Sequence, residues 1–144
     1  MSIDEIVDIL GGRKTFRRPI RTSDELVEQI RAGLPASTIA LLAATLAIHR
    51  TQVAKRLNIS SRTLSRRLSA KARLTQEESD RTLRMARVIA LAKEVLGTEE
   101  KASRWINTSN RALGGLRPFD QLDTDPGVRS VEEVLLRIAY GIYS

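Results

Sequence analysis

Residues 53–68, Val-Ala-Lys-Arg-Leu-Asn-Ile-Ser-Ser-Arg-Thr-Leu-Ser-Arg-Arg-Leu, constrain this chain more than any other stretch, because they combine the apolar spacing of a helix-turn-helix with a basic outer surface. Val53, Ala54 and Leu57 recur at helical spacing, and Ala54 is small where a second helix has to approach closely. Asn58 stands where the chain must turn sharply. Asn adopts the left-handed conformation more readily than any residue except Gly, so it can end the first helix. Ile59 then plugs the turn, and Ser60 is a favoured N-cap for the helix that follows.

On that second helix Leu64 and Leu68 stack at i and i+4, which sets the inward direction about 20° from Leu64 at about 100° per residue. Arg62, Thr63, Arg66 and Ser69 form the outward set, with Ser65 and Arg67 flanking the apolar face. Donors and small hydroxyls of this kind can enter a major groove, where Arg bonds guanine in bidentate fashion and Ser or Thr bonds phosphates or bases. A solvated basic helix in an ordinary bundle would share the charge, but not the conjunction of turn Asn, small Ala and capping Ser. Arg62, Thr63 and Arg66 are therefore read as base contacts, with Ser61 and Ser65 beside them. Arg50, Thr51, Gln52, Lys55 and Arg67 are read as holding phosphates.

The charge supports this independently. Residues 29–76 contain nine Lys or Arg and no Asp or Glu, whereas the segments before and after each carry one more acid than base. One localised patch thus accounts for the whole net charge of +7, as a surface facing phosphates requires. There is no cysteine, so disulfide and thiolate chemistry are excluded. The single histidine, His49, cannot form a catalytic dyad or half of a metal site; it is a structural turn residue, or at most a phosphate contact. The Met-Ser-Ile-Asp-Glu start lacks the basic region of a signal peptide, and the longest largely apolar run, residues 39–48, is about half a membrane span. A soluble, cytoplasmic protein is the expectation.

Nearly every segment reads as helix, which predicts an all-α fold: a helix-turn-helix lobe joined by a long helix to a small helical C-terminal lobe. Residues 1–34 hold N-terminal helices (3–10, and 24–32 capped by Ser23) and a basic connector, 13–21, that is a linker or a secondary contact for DNA or a partner. Residues 35–74 hold the helix-turn-helix region, its first helix opened by Pro35 and packing through Ile39, Leu42, Ala43 and Leu46. Residues 75–144 form the third region. There Thr75 and Glu78 make a capping box for a helix over 76–96 that Gly97 stops, and residues 88–92 are apolar all round and should be buried. A shorter helix follows Thr98. Residues 108–117 read as a loop with an exposed Leu113, 118–122 as a helical turn, 123–127 as a break and 128–140 as the last helix. Asp120, Asp123 and Asp125 cluster without a base or nucleophile, and Asp at turns and caps needs no further reason.

The C-terminal series resembles a known family. Arg62-Thr63-Leu64, Glu77-Glu78-Ser79-Asp80-Arg81, Trp105-Ile106-Asn107-Thr108, Asn110-Arg111-Ala112-Leu113-Gly114-Gly115, Pro118-Phe119-Asp120, Leu122-Asp123-Thr124 and the ending Arg137-Ile138-Ala139-Tyr140-Gly141-Ile142-Tyr143-Ser144 are similar to the Xre-type antitoxins of RES-Xre toxin-antitoxin modules. The resemblance implies a C-terminal lobe that binds a RES-domain, NAD-degrading toxin and blocks its active site. It also implies a homodimer that represses its own operon through double-stranded operator DNA. An enzyme is the weaker reading, because no nucleophile–base pair or metal set can be assembled from the residues, and no cofactor is expected. Trp105, Asn107, Asn110, Leu113, Gly114, Pro118, Arg137, Tyr140, Gly141, Tyr143 and Ser144 would shape or contact the toxin surface, although Trp105 could equally be a core residue. Two departures stand out: Asn58 replaces the Gly common in such turns, and Arg67 occupies a position often apolar, where its stem can lie on the core. A free-standing transcription factor with a dimerising or ligand-sensing lobe is the rival reading; a neighbouring toxin gene would discriminate.

Overall fold

Helix starts in this chain, apart from the one at Ser37, are set by side-chain caps. Ser2, Thr22, His49, Ser60, Thr75, Thr98 and Thr124 each accept a hydrogen bond from a backbone N–H two or three residues on. Each such cap satisfies a donor that has no partner inside its helix and is worth about 1 kcal/mol. The resulting elements, in a computed structural model that describes residues 2–141, are α1 (Ile3–Ile9), α2 (Ser23–Ala32), α3 (Ser37–Leu46), α4 (Arg50–Arg56), α5 (Ser61–Ser69), α6 (Gln76–Leu96), α7 (Glu99–Ile106) and α8 (Asp125–Ala139). Short 3-10 turns lie at Gly12–Lys14, Arg111–Leu113 and Pro118–Gln121. The chain is all-α among the described residues, with a lone bridge between Pro35 and Arg73 as its only extended pairing.

The long helix α6 is the spine, and it packs against α1, α2, α3, α7 and α8. Its capping box forms in full, with Glu78 N–H on Thr75 Oγ1 and Thr75 N–H on Glu78 Oε1. Of the all-round apolar residues 88–92, Val88, Ile89, Ala90 and Ala92 are buried as expected, whereas Leu91 is only half-buried against the core. One continuous apolar cluster runs from Ile6 through Leu42, Leu57 and Met85 to Ile106 and Leu135. The basic centre and the C-terminal segment thus share a core. Polar side chains from one segment close helix ends of another: Ser79 Oγ accepts from Leu34 N–H at 2.8 Å, Ser103 Oγ donates to Leu46 O at 2.9 Å, and Arg81 donates to Leu57 O at 3.1 Å.

Several boundaries differ from the sequence expectation. Thr22, rather than Ser23, caps α2, because Ser23 is already its first helical residue. Pro35 does not open α3; it pairs with Arg73 and the helix begins at Ser37, although Ile39, Leu42, Ala43 and Leu46 are buried as expected. The expected break at 123–127 is the start of α8. Thr124 caps it, and Pro126 sits in the first turn, where its missing N–H costs nothing. Gly127 is required there, since a Cβ would collide with the Gln121 carbonyl. Leu113 is half-buried against the core rather than exposed. The connector 13–21 is not a loose arm: Phe16 and Ile20 are 2% and 4% exposed.

Candidate nucleic-acid and partner interfaces

The helix-turn-helix forms as its sequence dictates. Asn58 takes the left-handed conformation at φ 59°, and Ile59 N–H folds back onto Ala54 O at 2.8 Å. Val53, Ala54 and Leu57 have no exposed surface, and Leu64 has 1%. Ser60 Oγ accepts from Thr63 N–H at 3.1 Å to start α5. His49 is a cap as well, its Nδ1 accepting from Thr51 N–H at 3.2 Å, which gives the lone histidine its structural role.

With this packing the outward face of α5 carries Arg62, Ser65, Arg66 and Ser69, all exposed and one helical turn apart in pairs. Arg50, Thr51, Gln52, Lys55 and Ser61 are exposed beside them, and Thr51, Gln52, Lys55, Asn58, Ser60 and Ser61 line an open cleft between α4 and α5. Arg62 and Arg66 form no ion pair among the described residues. Two of the sequence candidates are placed elsewhere. Thr63 is half-buried and its hydroxyl accepts from Ser60 Oγ at 2.9 Å, so it belongs to the cap while Ser65 takes its place on the surface. Arg67 turns toward α6, where Glu78 binds its guanidinium; its side chain is 18% exposed. Burial pushes the Glu78 carboxyl up, but the Thr75 N–H, the Arg67 guanidinium and its charge outweigh this and hold it below its ordinary value. Arg67 is thereby a tie between α5 and α6, with its charge already matched.

A second tie joins α4 to the C-terminal segment. Arg56 bonds Asp120 at 3.1 Å, Arg117 bonds the same carboxylate at 2.9 Å, and each guanidinium lies 5.5 Å from the centre of the buried Phe119 ring. The Arg117 hydrogen bond, working against burial and aided by the charges of Arg117 and Arg56, holds the Asp120 carboxyl below the usual carboxylate range. Asp125 is drawn off separately, to Arg84 at 3.3 Å and Arg129 at 3.1 Å. The three Asp therefore do not share a site, and no group of His, Cys, Asp or Glu among the described residues could hold a metal ion.

The expected partner-contact residues divide into supports and surface. Asn107 donates to Leu46 O at 2.9 Å and Ser103 O at 3.0 Å, closing the end of α3. Asn110 is 8% exposed and shapes the following loop, its Oδ1 accepting from Ala112 N–H at 2.9 Å. Pro118 is buried, and Trp105 is half-buried against the core. Leu113 and Arg137 do meet, lining a groove between the Arg111–Leu113 turn and α8 together with Gln121, Glu133 and Val134. Gly114 is exposed at the rim in a left-handed conformation, φ 66°. Tyr140 is 75% exposed one turn after Leu136, which is 42% exposed, and Leu116 adds a further 49%-exposed apolar side chain on the loop. Gly141 follows at φ 67°. Tyr143 and Ser144 lie outside the described residues. Leu136 and Leu116 were missed by sequence reasoning. Leu136 carried a signal, since it falls off the apolar stripe whose Val131, Val134 and Leu135 are buried.

These features define a class: an all-helical protein with a helix-turn-helix and an appended C-terminal binding lobe. The family model described as the antitoxin Xre-like helix-turn-helix domain matches residues 25–87, and that of the antitoxin Xre/MbcA/ParS C-terminal toxin-binding domain matches residues 91–141. A protein named Antitoxin Xre from Yersinia enterocolitica is 30% identical over 127 residues, 88% of this chain and 86% of the relative. One of the same name from Photorhabdus laumondii is 30% identical over 132 residues, 91% and 89% of the two chains. A third, from Pseudomonas putida, is 42% identical over 83 residues, which is 58% of this chain and about half, 52%, of the relative. The chain belongs to the Xre antitoxin family. It is an antitoxin of a toxin-antitoxin system, with a helix-turn-helix domain and a toxin-binding domain, neither of them enzymatic in kind. No helix among the described residues is long and apolar enough to cross a membrane.

Proposed function

We propose that this antitoxin neutralises a RES-domain, NAD-degrading toxin by covering its active site with the C-terminal lobe, and represses its own operon as a cytoplasmic homodimer bound to a palindromic operator. The observation that carries the reading is that the chain exposes two surfaces of opposite character. One is the acid-free cationic face of α4 and α5; the other is the apolar and aromatic face of Leu136 on α8 and Tyr140 at its C-cap.

On the DNA side, Arg62 and Arg66 reach base edges with Ser61, Ser65 and Ser69 beside them, while Arg50, Thr51, Gln52 and Lys55 hold phosphates. Two such helices in a symmetric dimer would enter major grooves about 34 Å apart. On the toxin side, Tyr140 and Leu136 act as anchors with Leu116, Arg137 and the Leu113–Gly114 rim around them. Truncating one well-packed central anchor of an interface, most often Trp, Tyr or Arg, costs about 2 kcal/mol or more, which makes Tyr140 the leading anchor of this surface. Asn107, Asn110, Pro118 and Trp105 hold that surface in shape from beneath.

The test is co-expression with the product of the neighbouring gene, followed by measurement of cellular NAD, sizing of the purified complex and titration of the promoter duplex. The reading predicts NAD loss with the neighbour alone, rescue and a stable complex with both, and promoter binding by the antitoxin. Unchanged NAD with the neighbour alone removes the RES assignment, and a chain that ignores its promoter in dilute buffer removes the repressor assignment.

A further inference from the structure

The connector between α1 and α2 lies outside both family matches, yet it is among the most basic parts of the chain. Its backbone is pinned. Phe16 and Ile20 plug into the core, Thr15 Oγ1 donates to Leu10 O at 2.5 Å, and the Arg13 guanidinium donates to Arg17 O at 3.1 Å. Across a groove stands the chain leaving α5, itself fixed by Ala36 N–H on Ala72 O at 3.0 Å, Ala72 N–H on Arg67 O at 2.8 Å and the Arg73 guanidinium on Gly33 O at 2.6 Å.

Arg13, Lys14, Arg17, Arg18, Lys71 and Arg73 line this groove, are all exposed, and share it with no Asp or Glu. None of the six forms an ion pair with a carboxylate among the described residues. Lys71 holds a left-handed conformation, φ 52°, at the turn by which the chain leaves α5. Cations gathered around one groove attract anions; Arg13 and Arg18 also border Asp4 and Asp8 in the adjoining cleft, and Arg67 is paired with Glu78, which leaves Lys14, Arg17, Lys71 and Arg73 as the cations without a nearby acid. The groove wall also includes Arg67 and Leu68 of α5 itself, directly after Arg66 of the outward face. Its only aromatic residue, Phe16, is 2% exposed and offers no platform for stacking a base, so the chemistry favours backbone phosphates over unpaired bases.

We propose that this groove is a second phosphate-binding surface, which grips the sugar-phosphate backbone of the duplex whose major groove α5 enters and extends the footprint past the C-terminal end of that helix. The inference rests on the DNA reading of α5. Its test is the triple variant R17Q/R18Q/K71Q, titrated with the chain's own promoter duplex and a random-sequence duplex of equal length between about 50 and 200 mM salt, a range over which phosphate contacts govern affinity. The slope of log affinity against log salt should fall by roughly 2 to 3 on both duplexes, about 0.9 per lost contact, with the promoter-to-random ratio unchanged. R17K/R18K, which keeps the charges, should retain the parent slope. An unchanged slope in a triple variant with parental circular dichroism overturns the groove alone, as does a loss confined to the promoter duplex. Failure of the parent chain to bind either duplex overturns the α5 reading together with it. Tighter binding of a single-stranded RNA than of the duplex would reassign the surface, and loss of toxin binding in the triple variant would assign it to the partner protein.

Discussion

Asp120→Ala is the substitution that most directly tests how the two halves are joined. The carboxylate accepts from Arg56 at 3.1 Å and from Arg117 at 2.9 Å, and 24% of its side chain remains in water. A hydrogen bond to a charged group contributes about 1.5 to 3 kcal/mol when buried, and a fully exposed ion pair about 0.2 to 1 kcal/mol. The arginines here are 25% and 37% exposed, so after removal of the acid they are partly rehydrated. They are also left as two like charges beside one ring. A value between the limits, roughly 1 to 1.5 kcal/mol for each of the two arginine partners, gives a total loss of about 2 to 3 kcal/mol. With a urea dependence of about 2 kcal/mol per molar for a domain of this size, the unfolding midpoint should fall by about 1 M. Because the core is continuous, Trp105 fluorescence and far-ultraviolet circular dichroism should report one coincident transition. In a double-mutant cycle Arg56→Ala and Asp120→Ala should couple by about 1 kcal/mol. A midpoint shift under roughly 0.3 M, or strict additivity in the cycle, would refute the assignment of this contact as a structural tie.

Acid should act through the same groups. Asp120 and Glu78 are held below their ordinary values in the fold, so their contribution is complete above the unfolded carboxylate range, about 4, and is lost as pH falls through the lower folded values. Stability measured by urea titration should be level from neutral pH to about 5 and decline below 4, and D120N/E78Q should flatten that acid limb; an unchanged limb would place the acid sensitivity elsewhere. Gly127→Ala should destabilise by about 1 to 3 kcal/mol, since the added methyl meets the Gln121 carbonyl at the start of α8; a melting temperature equal to the parent's would contradict that clash. Asn107→Ala should cost about 1 kcal/mol of folding stability by removing its amide from Leu46 O and Ser103 O, each of which keeps a second donor in the Ser103 hydroxyl and the residue-107 N–H, while toxin affinity of the folded variant stays within about twofold. A large loss of toxin affinity without a stability change would return Asn107 to the contact surface.

Local chemistry made the fold legible. The turn Asn58, the caps Ser60 and Thr75, the stop at Gly97 and the apolar stripe of α3 each declare themselves within a few residues, and each is found where its own chemistry places it. The errors fall where a residue has two local readings. Pro126 and Gly127 look like a break, yet a Pro in the first turn after a Thr cap is a helix start. The site was harder to read because the deciding contacts are not local. Arg56 meets Asp120 across 64 residues, and Asn107 meets Leu46 across 61. Arg67 shows why charge alone misleads: its helical angle put it on the flank of the apolar face and its charge suggested a phosphate contact, but Glu78 lay within reach on α6. The same geometry moved Ser65 outward and Thr63 into the cap.

One surface of this antitoxin is proposed to hold DNA and a different one the toxin. The most direct test measures both dissociation constants, for the promoter duplex and for the neighbouring gene product, on R62A/R66A and on L136A/Y140A. The first variant should lose roughly 1 to 3 kcal/mol of operator discrimination per arginine and keep its toxin affinity, whereas the second should lose about 2 kcal/mol or more toward the toxin and keep its operator affinity. Equal losses of both affinities in either variant, or no loss in either, would contradict the claim.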